Sequence, residues 1–254
     1  MKKLFVLLLG ITLCSGAFAQ SRLDRMEEKK SLEIGESPFF VNPLGHFYFG
    51  FSSLLQGDAD IKGRTSFFKN PQLGFNMIEL GFNMIELGVN AGRHVQFTLG
   101  ADVSWTWYHL DKDYLWKPNG SGSSSVSIVT KESDNIKKVR TSIYTVPTFE
   151  FPLNIYFKTG RTRFQLGASL ELNMSGFSQF KGTDNNDQNI NEMRSGLRYS
   201  KDIRNNLLSY NIHAAVLFSN IGLYTKFRPQ PVIAQGSGPQ FSTWSLGLFW
   251  RFSN

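Results

Sequence analysis

The chain has 254 residues, a formal charge of +7, 41% hydrophobic and 14% aromatic residues, and a single cysteine. Its 19% charged residues and mean hydropathy of −0.22 resemble a soluble protein, yet 23 phenylalanines exceed what a small soluble core uses. Past the N-terminus no run of about 18 apolar residues is present, which excludes a helical membrane anchor there.

Lys2 and Lys3, the apolar run Leu4–Leu13 and the small-residue site Ala17-Phe18-Ala19 predict a secretory signal peptide over residues 1–19. Cys14 raises a lipoprotein signal, but Leu13 stands where a small residue belongs. Cleavage after Ala19 leaves no cysteine, hence no disulfide and no thiolate metal site, and lowers the charge to +5 as Lys2 and Lys3 depart. In an exported chain this basic balance points to anionic lipid head groups and not to nucleic acid. Residues 20–43, mixed in charge and ending near Phe39, Phe40 and Val41, read as an N-terminal segment on the periplasmic side.

Residues 44–254 alternate between apolar and polar over long stretches. Gly45–Leu55 sets Phe47, Phe49 and Phe51 against His46, Tyr48, Gly50 and Ser52. Leu73–Glu79 then reads LGFNMIE, and Leu80–Glu86 repeats it. Because seven is odd, the two copies carry opposite face assignments. A β-bulge near Ile78 and Glu79 restores the phase, or else one copy extends beyond the wall.

Val95–Tyr108 is the clearest strand. Val95, Phe97, Leu99, Ala101, Val103, Trp105 and Trp107 form one wall; Gln96, Thr98, Gly100, Asp102, Ser104, Thr106 and Tyr108 form the other. Its 14 residues are long for a globular strand and suit a tilted one that crosses a bilayer.

Ile143–Phe157 alternates with Pro147 and Pro152 inside it, predicting local bulges. Arg163–Gly176, Leu207–Phe218, Ile221–Arg228 and Phe241–Phe252 complete the series. Connections are alternately short (Asn90–His94, Lys158–Thr162, Ser219-Asn220) and long (Gln56–Gln72, His109–Ser142, Phe177–Asn206, Pro229–Gln240). Within the second long one, Val126–Thr130 predicts a hairpin above the membrane. This is the pattern of an all-β, eight-stranded antiparallel up-and-down transmembrane β-barrel with short periplasmic turns and long extracellular loops, in the outer membrane of a Gram-negative bacterium. A secreted β-sandwich is the alternative.

Three segments carry a family resemblance. LGHFYFGFSSLL from Leu44 resembles the GHW-x-G opening of small outer-membrane barrels of Bacteroidetes, with Phe47 in place of the Trp. LGFNMIELGV resembles their second strand, and TFEFPLNIYFKTGR from Thr148 their Y-L-E-I-P-L block. The chain thus resembles the porin-like or PorT-like barrel group. That resemblance implies an accessory role in an envelope secretion or uptake complex, with an envelope protein as partner. It also implies insertion by the barrel-assembly machinery through a terminal aromatic strand, here followed by Ser253 and Asn254.

An eight-stranded barrel has an interior that side chains fill. Asp102, Glu150, Glu171, Lys226, Arg228, Arg251 and His213 fall on inward positions and predict an ion-pair network plugging the lumen. A narrow path for small solutes is the competing use. Trp105, Trp107, Trp244, Trp250 and Phe252 predict an aromatic girdle. Lys137, Lys138 and Arg140 near a strand top suit lipopolysaccharide phosphates or a solvated snorkelling set.

Catalysis has little support. Glu150 and Glu171 fit charge neutralisation better than acid–base work, and no Ser–His signature for lipid A modification is visible. His46, His94, His109 and His213 lack metal-ligand spacing, and Asp184–Asn189 (DNNDQN) reads as a polar loop tip, not a calcium loop. No enzyme activity, metal or cofactor is expected. The expected surroundings are outer-membrane lipid and lipopolysaccharide.

Overall fold

A computed structural model describes residues 39–57, 77–111, 113–118, 126–130, 136–174, 176–195 and 204–252. The expected signal peptide 1–19, most of the 20–43 segment, the first half of the first LGFNMIE copy, and Ser121–Ser125 lie outside the described residues.

The described strands, in chain order, are β1 (Phe39–Pro43), β2 (His46–Gly57), β3 (Met77–Asn90), β4 (Val95–His109), β5 (Tyr114–Pro118), β6 (Val126–Thr130), β7 (Ile136–Thr159), β8 (Thr162–Asn173), β9 (Phe177–Asp184), β10 (Asn189–Ser195), β11 (Leu208–Phe218), β12 (Ile221–Arg228) and β13 (Phe241–Arg251). Eight of them close a ring. β2 pairs β3, then β4, β7, β8, β11, β12 and β13 follow, and β13 returns to β2, every pair antiparallel. The fold is a closed eight-stranded antiparallel β-barrel, and closure leaves no free edge around the ring.

Alternation makes this barrel inside-out relative to a soluble protein. Leu153, Leu166, Ile212, Leu223 and Leu248 face outward, each half or more exposed. Glu79, Asn83, Glu171, Asn211 and Ser245 face inward and are fully buried. Burying polar groups while exposing large aliphatic ones is favourable only where the surroundings are themselves apolar.

One end carries tight connections. Gly160 and Ser219 adopt positive φ (56° and 60°) in the β7–β8 and β11–β12 turns, where the chain reverses within two residues. At the other end β7 outruns β8: its 24 residues pair with β8 up to Thr148 and with β9 from Thr145 onward. β9 and β10 form a hairpin, as do β5 and β6, so the expected Val126–Thr130 hairpin is present. Leu115, Ile136 and Val139, with Phe180 and Ile190, give this loop-end extension an apolar core of its own.

Three expectations require correction. The bulge in the duplicated strand lies at Met84, between the pairs Asn83–Asp102 and Ile85–Ala101, and not near Ile78 and Glu79. Asn83 explains the position, because its side chain reaches three places at once. Its Oδ1 accepts from Gly45 N (3.0 Å), and its Nδ2 donates to Ile85 O (3.0 Å) and Asp102 Oδ1 (2.6 Å), satisfying backbone groups that the irregularity would strand.

Neither Pro147 nor Pro152 produces a bulge. β7 keeps one register with β4 from Phe157 to Ile143 and with β8 throughout. Pro152 interrupts the ladder locally, where Gly100 on β4 leaves room for its ring, and Pro147 falls where β8 ends and β9 begins. A missing donor at such places costs no register.

Finally, Phe39–Pro43 is not part of a separate segment. β1 pairs with Ile85–Val89 along the edge of β3 that β2 occupies further up, with Leu44 (φ 55°) as the kink between them. Outward Phe39 and Val41 extend the apolar exterior, and Phe40 turns inward onto Gly88, where a Cβ would overlap its ring.

Candidate functional site: the closed lumen and the loop-end platform

The interior is organised in layers along the barrel axis. Nearest the tight turns, Arg251 Nη2 donates to Glu86 Oε2 (2.7 Å), Tyr156 OH donates to Glu86 Oε1 (3.2 Å), and the guanidinium lies over the Tyr156 ring (4.5 Å). Next, Asp102 holds His46 Nε2 (3.0 Å) and Asn83 Nδ2 (2.6 Å).

The middle layer gathers three carboxylates around two cations. Lys226 Nζ donates to Glu79 Oε1 (2.7 Å), to both oxygens of Glu150 (3.1 Å each) and to Tyr48 OH (2.9 Å). Arg228 donates from Nε to Glu171 (2.6 Å) and from Nη2 to Glu79 (2.6 Å) and Glu150 (3.4 Å). Neutral donors complete the shell: Tyr48 and Ser104 on Glu150, Ser209 on Glu171, and Asn211 on both. Three carboxylates facing two cations would repel one another without these extra donors, so the layer depends on every member.

Beyond that layer the filling becomes apolar. Met77, Tyr108, Tyr144, Val146 and Phe241 from the strands meet Leu110, Val232 and Ile233 from the connections in one buried cluster across the loop end. Within the barrel, a cavity of about 30 Å³ lies among His46, Tyr48, Gln165, His213 and Tyr224. His46 Nδ1, Gln165 Oε1 and Tyr224 OH, on residues lining it, have no hydrogen-bonding partner among the described residues. The space suits a water or two and no solute.

Five of the seven lumen residues named from sequence meet as ion pairs, Glu150 and Glu171 with Lys226 and Arg228, and Arg251 with Glu86, while Asp102 meets His46 in a hydrogen bond. His213 is placed differently. Its Nδ1 and Nε2 face the amide oxygens of Asn211 (2.9 Å) and Asn154 (2.6 Å), outside the charged layer. Glu150 and Glu171 stand directly opposite each other in register and share Arg228 and Asn211.

Sequence reading missed Glu79 and Glu86. With the bulge at Met84, both copies of LGFNMIE deliver their glutamate to the same inner face, and each engages a cation. The odd repeat length was the available signal: one added residue brings the copies into phase.

Trp105, Trp107 and Trp244 occupy the outer face toward the loop end, with Trp105 against Phe82 (5.4 Å between centroids) and Trp244 Nε1 donating to Thr225 Oγ1 (2.6 Å). Trp250 and Phe252 sit together at the turn end (5.7 Å). Lys137, Lys138 and Arg140 lie on the outer surface of the β7 extension, and Lys137 pairs with Asp187 (2.6 Å). In the DNNDQN tip, Asp184 Oδ1 accepts the amides of Asn186 (2.9 Å) and Gln188 (2.8 Å), closing the β9–β10 turn. Among the described residues no group of His, Cys, Asp and Glu is arranged to hold a metal ion. Ser169 and His213 approach each other (3.5 Å), but inside the barrel and away from the lipid face.

No protein-family profile and no curated protein matches the sequence. Among solved structures, Ail, the attachment invasion locus protein of Yersinia pestis crystallised with the heparin analogue sucrose octasulfate, shares 12% identity over 84% of this chain and 97% of its own (TM-score 0.32). Neisserial surface protein A shares 13% over 86% and 100% (TM-score 0.34). LpxR from Salmonella typhimurium shares 9% over 84% and 87% (TM-score 0.22). At such scores the eight-stranded architecture stands on this chain's own strand pairing.

Proposed function

We propose that the protein is a sealed outer-membrane barrel whose role is to hold its loop-end platform at the cell surface. The observation that carries this reading is the filled lumen beneath an apolar exterior. An ionic layer and an apolar layer block the axis in series, leaving the outer wall and the loop end as working surfaces. The exterior favours a bilayer, and the expected secretory signal and the short turns favour periplasmic turns with external loops. A porin needs a continuous wet path, which two crossing layers of side chains oppose.

A second reading, an accessory subunit of an envelope complex, draws on the PorT-like motifs and on the loop-end extension. β5, β7, β9 and β10 share an apolar core there and present a surface of the kind a partner protein uses. Planar-bilayer recording of the purified protein tests the main reading: no steady openings are expected, and regular unitary steps would overturn it. Gentle detergent extraction separates the two, since a stable larger complex selects the subunit role.

A further inference from the structure

We propose that the outer face of the β7–β9 junction is a ledge that binds the phosphate groups of the outer-leaflet lipid. Two bulges occur in succession on β7 against β9, between the pairs of Ile136 and Lys138 and between those of Val139 and Thr141. Each extra residue is a cation, Lys137 or Arg140, so neighbouring side chains turn outward together where alternation would send one inward. Lys181, opposite Thr141 on β9, joins the same outer face, while Ile136, Val139 and Phe180 occupy the inner one.

Among the described residues the carboxylates near this face are already engaged. Asp187 holds Lys137, and Asp184 closes the hairpin turn. Lys138, Arg140 and Lys181 are exposed and have no carboxylate partner among the described residues. A sheet that concentrates three cations without a carboxylate partner among the described residues gains from a multivalent anion, and phosphate suits the guanidinium fork in particular.

Position selects the source of that anion. The ledge continues the outward column of Phe151, Phe149 and Ile143 on β7. Arg140 lies five residues beyond Thr145, the residue opposite Trp107. At about 3.3 Å per residue and about 40° of tilt this is about 12 Å above the tryptophan level, where head groups replace hydrocarbon and long basic side chains reach down. The inference rests on the membrane-embedded reading.

The test uses the full-length protein in zwitterionic detergent, titrated with fluorescent bisphosphorylated lipid A and with the same lipid stripped of phosphate. Wild type is expected to prefer the phosphorylated form by about tenfold or more, and K138Q/R140Q/K181Q to lose about fivefold in affinity per cation removed. K158Q/R161Q, which removes charge at the opposite rim, is expected to bind within about twofold of wild type. Equal affinity for the two lipids, or undiminished binding by the triple variant, overturns the ledge. So does equally tight binding of sucrose octasulfate by wild type without lipid discrimination, which assigns the face to a soluble polyanion. Failure of the underlying reading shows separately, as a wild-type chain that does not insert into vesicles, and it removes the ledge with it.

Discussion

Midway along the barrel the interior is crossed by Glu79, Glu150, Glu171, Lys226 and Arg228; nearer the loops it is crossed by Met77, Tyr108, Tyr144, Val146 and Phe241. Both layers are formed by inward side chains of the barrel strands, with β3 and β7 contributing to each, yet they obey different rules. The ionic layer is all-or-none, because removing one charge strands its partners in a dry interior. The apolar layer is graded, because removing atoms costs contact and leaves a cavity. It is completed by Val232 and Ile233 from the β12–β13 connection, so it joins the loops to the barrel, whereas the ionic layer joins wall to wall.

The comparison breaks most completely if the wall that presents both layers loses phase. Deleting Phe149 from β7 leaves inward Val146 and Glu150, one in each layer, an odd number of residues apart and therefore on opposite faces. The expected outcome is loss of the folded barrel, read as loss of heat-modifiable gel mobility and of insertion into vesicles, because a one-residue slip sends a whole strand's side chains to the wrong side.

Breaking only the ionic layer comes next. Lys226→Met leaves Glu79 and Glu150 short of a cation, and a loss of about 3–5 kcal/mol in denaturant unfolding from vesicles is expected. Adding Glu79→Gln to that variant should recover part of the loss, which a purely steric defect would not. In the apolar layer Met77→Ala is expected to cost about 2–4 kcal/mol in the same assay, with no comparable rescue by a second change of charge. The smallest effect belongs to the exposed platform: Lys137→Ala removes the pair with Asp187 at a cost of about 0.2–1 kcal/mol, diminishing further in high salt.

The legible part of this protein was the wall. Strand alternation over residues 95–108, 163–173 and 208–218 assigns each side chain to the face on which the structure places it. That signal is local, since each residue's direction follows from its neighbour's. The charged filling of the lumen was legible only in part, with Asp102, Glu150, Glu171, Lys226, Arg228 and Arg251 identified as inward but without their partners and without Glu79 and Glu86. His213 shows the limit: its inward direction followed from alternation, but its turn toward Asn154 and Asn211 depends on strands β7 and β11 meeting across β8. The prolines misled for the same reason. Whether a missing donor disturbs a ladder depends on what stands opposite, here Gly100 for Pro152 and the β8–β9 junction for Pro147.

The amino-acid order alone determined the architecture: period-two patterning, strand length and alternating connections suffice for a greasy cylinder with a polar interior, because each is written within a dozen neighbouring residues. The tertiary structure alone decided where the duplicated strand is irregular and which charges meet. Asn83 anchors the bulge through Gly45 and Asp102, 38 and 19 residues away, and Lys226 reaches Glu79 across 147. Such partners are selected only when the ring closes, since closure is what brings opposite walls within hydrogen-bonding distance.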